Sequence, residues 1–205
     1  MRKVLSIIIF VFLLISCKEN VNSPIEENIV QVNIADDLIP SKIGNEWVYE
    51  DTLRYPDHWS YSTFNTKISK EEMIEGKRFY EINELFLGIM GLGKYTIQNG
   101  KIYKRLIGSR GQDTVRIKYV PATLESVTYS MAISGDNNDV LVTAKHIKAK
   151  YKVGTLIFSE YFQYTCNYSN YYYKLIIVPG VGVVDYFLTS DNSYLRTSLI
   201  KYTFK

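Results

Sequence analysis

The chain has 205 residues, 46% of them hydrophobic, with 24 Lys and Arg against 21 Asp and Glu. That length suits one medium domain whose core is large enough to fold without disulfide staples. The near balance of charge argues against a nucleic-acid partner, which needs a clustered basic surface. Eighteen tyrosines against two histidines favour sheet over helix and leave little for histidine-based chemistry.

Arg2 and Lys3 precede an apolar stretch, Val4 to Ile15, that only Ser6 interrupts. These are the charged and apolar regions of a secretory signal, well short of the about 20 residues that span a bilayer. Ser16 supplies the small residue a signal peptidase requires, and Lys18 ends the hydrophobic phase. Leu14-Ile15-Ser16-Cys17 therefore resembles the lipobox of bacterial lipoproteins. The resemblance implies cleavage between Ser16 and Cys17, a diacylglycerol on the Cys17 sulfur and a palmitate-type acyl chain on the new amine. Two or more chains, at about 0.8 kcal/mol per buried methylene, make a stable membrane anchor. Lys18 stands where an aspartate would retain such proteins at the inner membrane, which implies an outer-membrane destination. Lys18-Glu19, with Glu26 and Glu27, also resembles the tethers of surface-displayed Bacteroidota lipoproteins. Without residues 1–16 the mature chain of 189 residues keeps 22 Lys and Arg against 21 Asp and Glu, a net charge of +1.

Residues 17–39 are rich in Asn, Glu and Asp, a composition that suits a flexible linker, although Val30, Val32 and Ile34 alternate and could pair as a peripheral strand. Residues 40–205 carry short runs of Tyr, Val, Ile, Phe and Thr separated by Gly, Asn and Asp. The expectation is one all-β domain of antiparallel meandering strands, a curved sheet, sandwich or half-barrel. Ile68 to Glu75 has helical leanings, with a strand turning at Glu75-Gly76 equally compatible. Asn99-Gly100 is the strongest hairpin signal, since a type I′ turn needs positive φ at both central residues. In the next strand Val115, Ile117 and Tyr119 should face the core, with Thr114, Arg116 and Lys118 outward. Thr143 to Val153 looks like one strand, with Ile147, Ala149, Tyr151 and Val153 on one face and His146, Lys148, Lys150 and Lys152 on the other. Further turns are expected at Gly108 to Gly111, Gly135 to Asp139, Gly154 and Asp191-Asn192.

Cys17 being lipidated, Cys166 has no disulfide partner within the chain, and its phase with Leu156, Phe158, Phe162 and Tyr164 predicts a buried thiol. Gly88 to Lys94 has the glycine-lysine spacing of a phosphate loop, but Tyr95 replaces the Ser or Thr that holds magnesium. A glycine-rich bend between strands is the better account. His58 and His146 are too few and too dispersed for a metal centre, and Asp136 to Asp139 lacks the rest of a calcium loop. Glu81 and Glu84 fall on opposite faces of a regular strand, so they do not converge as a glycosidase pair would. No catalytic, metal or cofactor residues emerge, and a non-enzymatic role is expected. The lysine face of residues 146–152 suits an anionic headgroup or polysaccharide, or a solvated edge strand. Tyr161, Tyr171, Tyr172 and Tyr173 could stack on sugar rings, or pack a tyrosine-rich sheet.

Ile39-Pro40-Ser41-Lys42-Ile43-Gly44-Asn45-Glu46-Trp47-Val48-Tyr49 and Pro179-Gly180-Val181-Gly182-Val183-Val184 bracket most of the mature domain. Both phrases resemble those of Bacteroidota envelope lipoproteins without an assigned activity. The resemblance implies a β-rich, lipid-anchored domain. Three expectations follow for function: a non-enzymatic binding or scaffolding domain held to the membrane by its anchor, a carrier of a lipid or other apolar ligand, or a glycan-binding or sugar-active protein. The protein, lipid or glycan partner is left open by the residues themselves.

Overall fold

A computed structural model describes residues 28–83, 91–108, 111, 113–122, 125–133 and 139–205. Ser16 and Cys17 lie outside the described residues, as do Glu84, Gly88 and Asp136. The described chain is built from strands, with no helix among them. In order they are β1 (Ile29–Val30), β2 (Glu46–Arg54), β3 (Trp59–Ile74), β4 (Lys77–Ile82), β5 (Lys94–Gln98), β6 (Lys101–Ile107), β7 (Asp113–Tyr119) and β8 (Ser126–Ala132). They continue with β9 (Asp139–Ile147), β10 (Tyr151–Val153), β11 (Leu156–Phe158), β12 (Tyr161–Tyr168), β13 (Tyr171–Val178), β14 (Gly182–Thr189) and β15 (Tyr194–Thr203).

Twelve strands form one antiparallel sheet in the order β7-β6-β5-β4-β3-β2-β15-β14-β13-β12-β9-β8. The sheet curls into a nearly closed barrel. Register shifts at Ile68/Lys70, Ile102/Tyr103, Ile176/Ile177 and Leu199/Lys201 help bend it, because each bulge sharpens the local twist. The seam lies between β7 and β8, and side chains span it. Tyr129 Oη of β8 donates to the Lys118 carbonyl at 2.8 Å, Tyr164 Oη of β12 donates to that of Val120 at 3.2 Å, and Arg116 pairs with Asp139 at 2.9 Å. Carbonyls at the margin of an edge strand thus receive phenol donors in place of a further strand.

A second sheet, β1-β11-β10, joins the barrel through β10, whose Tyr151 Oη donates to Asp185 of β14 at 2.8 Å. β1 runs parallel to β11, and Leu38 and Ile39 are buried in the core. The segment from Asn28 to Ile39, linker-like in composition, therefore packs as part of the fold.

Trp47 of β2 donates its indole N–H to the Val181 carbonyl at 2.6 Å, and Tyr49 Oη donates to that of Val183 at 2.8 Å. The β14–β15 ladder begins only at Asp185, so on that side these carbonyls lie beyond it and a side chain takes the place of the neighbouring strand. The two phrases that bracket the domain in sequence are in contact in space.

The hairpin at Asn99-Gly100 has φ of 52° and 72°, as type I′ geometry demands. Ile68 to Ile74 completes the long strand β3, and the chain turns at Glu75-Gly76. Two face assignments need correction. In β7 the shift at Ile102/Tyr103 leaves Lys118 as the extra residue, so Lys118 and Tyr119 are both buried while Val115 is exposed. Strict alternation cannot anticipate that bulge. Thr143 to Val153 is not one strand: it breaks after Ile147, and β9 buries Val142 and Ala144 with His146 in phase, opposite to the expected face. Paired by β8 and β12, β9 is also not an edge.

Gly182, at φ 102°, sits so that an added Cβ would lie 3.4 Å from Trp47 Nε1. Gly182→Ala should destabilise the fold by about 1–3 kcal/mol through backbone strain, and Trp47→Phe by a similar amount through the orphaned Val181 carbonyl. In urea unfolding both midpoints should fall below wild type with the slope of the transition unchanged.

Candidate binding surface

Directly paired residues share a face of the sheet, so the ladders place Trp59, Arg54, Tyr194, Thr189 and Tyr172 in one row across β3, β2, β15, β14 and β13. The row faces outward, opposite the buried Tyr173 and Tyr186. A second row beside it runs Tyr61, Thr52, Arg196, Phe187 and Lys174. Trp59 is 49% and Tyr61 66% exposed, high values for aromatic side chains. Cations are interleaved with the rings: Arg54 lies 5.6 Å from the Trp59 ring and Lys174 Nζ 3.9 Å from that of Phe187.

At the end of the barrel beside these rows, the β2–β3 turn and the β14–β15 hairpin enclose an open cleft of about 320 Å³. Its lining runs from Arg54 to Pro56 on one side and from Thr189 to Tyr194 on the other. The Tyr55 ring stacks on His58 at 4.6 Å, and its N–H donates to the His58 carbonyl at 2.9 Å. The Ser190 and Ser193 hydroxyls meet at 2.7 Å, closing the other hairpin and leaving Asp191 and Asn192 exposed at its apex. Trp59 and Tyr194 meet edge to face at 6.2 Å and form a corner beside the cleft. Residues 28–45 lie at the opposite end, where Gly180 N–H donates to the Asp37 carbonyl and Asn45 Nδ2 to that of Pro40.

The other residues singled out in the sequence are scattered. Cys166 is buried, and burial pushes its thiol up to about 11, which makes it unreactive at neutral pH. His146 pairs with Glu160 at 2.6 Å, whereas His58 sits at the cleft end beside Asp57, so the two histidines do not converge. Among the described residues no group of three or more His, Cys, Asp or Glu comes together. The lysine face is divided: Lys148 and Lys150 are exposed between β9 and β10, and Lys152 is exposed on β10, an edge of the small sheet. Tyr161 leans on Tyr151 at 4.7 Å, Tyr173 is buried, and Tyr171 and Tyr172 reach solvent near the cleft end. Lys94 opens strand β5 and pairs with Glu72, an arrangement unlike a phosphate loop feeding a helix. Trp59, Tyr55 and Tyr194 were not singled out in the sequence; Tyr55-Pro56-Asp57-His58 is a turn signal, and strand parity around it could have placed Trp59 outward.

Inside the barrel, Lys104 and Lys118 both come from the β6–β7 pair. Lys104 Nζ donates to the Gly91 carbonyl at 2.8 Å. Burial, with Lys104 nearby, pushes the Lys118 ammonium down to about 7. On the outer face, where β10 covers β14, Asp185 is fully buried and accepts from Arg196, Ser198 and Tyr151, so its charge is matched on several sides.

No protein-family model matches the sequence, and a search of curated proteins finds no match. Among solved structures the chain is similar to a candidate lipoprotein of Parabacteroides distasonis, at 12% identity and a TM-score of 0.42, over 82% of this chain and 99% of that one. It is similar also to a candidate exported protein with a YmcC-like fold from Bacteroides fragilis, at 6% identity and a TM-score of 0.42, over 82% of this chain and 100% of that one.

The native Lys118 binds fewer protons than the unfolded one between about pH 7 and its ordinary value of 10.5, so its contribution to stability rises with pH across that window. Cys166 contributes the opposite slope above about 9, its ordinary value, because its folded pKa is raised. Urea unfolding at pH 7 and 8.5 should therefore show wild-type stability rising relative to Lys118→Met by up to about 1.4 kcal/mol per pH unit. A constant difference would place the charged ammonium in contact with water.

Proposed function

We propose that the chain is a lipid-anchored protein of the bacterial cell envelope, held at the outer membrane through Cys17, whose barrel is a non-enzymatic binding module. The observation that carries this reading is the polarity of the barrel. The segment arriving from the lipobox packs across one end, through Asp37 and Pro40, while the exposed aromatic hairpins stand at the other. A tether at one end and a recognition surface at the opposite end suit a protein that holds something away from the membrane. The interior supports surface binding over carriage of a lipid in the barrel. Trp47, Tyr49, Tyr95, Tyr119, Tyr164 and Tyr186 are fully buried there and occupy the space a ligand would need.

Cys17→Ala should abolish incorporation of labelled fatty acid, leave a larger unprocessed band and remove the protein from outer-membrane fractions. Retained labelling in that variant would overturn the anchor.

A further inference from the structure

We propose that the cleft between the β2–β3 turn and the β14–β15 hairpin binds a saccharide, with Tyr55, Trp59 and Tyr194 as stacking faces and Arg54, Asp191 and Asn192 as hydrogen-bonding partners. This rests on the reading of the barrel as a binding module and names the ligand class of its exposed end.

A pyranose ring offers an apolar C–H face and a rim of hydroxyls, so its site needs flat rings next to short polar side chains. The cleft supplies both. Its lining holds two tyrosines and a proline beside Thr, Ser, Asp, Asn and Arg, without an aliphatic Leu, Ile, Val or Met. A protein-binding groove or a membrane-inserting surface would draw on those aliphatic side chains. The nearby charges, Arg54 against Asp57 and Asp191, sum to no positive field and so do not favour an anionic bilayer. A volume of about 320 Å³ is at the small end for a ligand site, the right scale for one or two sugar rings with the rest of a chain outside.

The site is also held in place before a ligand arrives. Arg54 spans the Trp59 ring, Tyr55 is stacked on His58, and the Ser190–Ser193 contact fixes the second wall. Rigid rings on hydrogen-bonded turns lose little conformational entropy on binding. The row then continues outward, with Tyr172 two strands beyond Tyr194, about 10 Å away at ordinary strand spacing. That gives an extended glycan a further ring to meet.

The chain contains two tryptophans, Trp47 buried at 1% exposure and Trp59 at the cleft, so acrylamide-quenchable emission reports Trp59. The full-length processed protein in detergent would be titrated with a neutral β-linked glucan oligosaccharide, with oligogalacturonate, and with phosphatidylethanolamine–phosphatidylglycerol vesicles. Protection of Trp59 by either saccharide is the expected result; the glucan alone would indicate stacking and hydroxyl contacts, and the uronate alone a salt bridge to Arg54. By calorimetry, Tyr55→Ala and Tyr194→Ala should each weaken binding about tenfold, the worth of one aromatic contact. Their urea midpoints should stay near wild type, and Tyr103→Ala on the remote strand β6 should change nothing. Protection by neither saccharide, or by vesicles alone, overturns the proposal while leaving the Cys17 anchor standing.

Discussion

The contact between Trp47 and the Val181 carbonyl is the constraint on which the barrel depends. A sheet of twelve strands has to curve far enough to hide its inner face, and curvature interrupts ladders. Here the β14–β15 ladder stops short of the Pro179-Gly180 bend, and carbonyls at Val181 and Val183 turn to side chains in place of β15. Trp47 and Tyr49 satisfy two of them from β2, across a separation of 134 residues in the chain. The same two side chains fill the adjoining space, so one pair of residues closes both a hydrogen-bond deficit and a void. Gly182 suits the position because its φ of 102° is one that L side chains rarely adopt, and an added Cβ would already touch the indole.

Several of the buried tyrosines answer the same constraint. A phenol joins a ring that fills a core to a hydroxyl that can reach a bare carbonyl. Tyr49, Tyr129 and Tyr164 each use it that way, the last two near the seam where the sheet does not close on itself. Burial raises these phenols above their usual range, so they stay neutral donors. Leucine could fill the volume but would leave the carbonyls unsatisfied, at a cost of about 1–3 kcal/mol each.

Sequence alone carried the fold class because period and turn chemistry are local. Alternation marked Phe162, Tyr164 and Cys166 as inward, and Asn99-Gly100 fixed a hairpin, with no knowledge of neighbours. What failed was parity across irregularities. One bulge puts Lys118 beside Tyr119 in the interior, and one break at Lys148 moves His146 to the buried face. Such features arise from how distant strands pair, and no window around Lys118 contains that information. The cleft was illegible for a related reason. Arg54, Tyr55 and Tyr194 become neighbours only because β2 lies next to β15, strands that begin nearly 150 residues apart. The tyrosine cluster at 171–173 drew notice as a run, yet the fold sends Tyr173 inward and Tyr172 outward.

Two ends with different chemistry follow from this topology. At the end closed by residues 28–45, Asp36 packs against Gly180, Ile39 and Leu38 enter the core, and Lys205 N–H donates to Asn45 Oδ1. The polypeptide closes that end with its own segments, so its backbone groups and apolar side chains are already used. At the opposite end the hairpins at Tyr55–His58, Ser169-Asn170 and Ser190–Ser193 project side by side, with no covering segment among the described residues. Their turns are satisfied within themselves, which leaves the side chains free to remain exposed. Exposed rings on self-contained turns can vary with little cost to the barrel, since their side chains lie outside its core. The residues that hold this fold together and those left exposed are thus separated along the strands, and that separation is what the proposed binding role draws on: a filled barrel can carry a variable end.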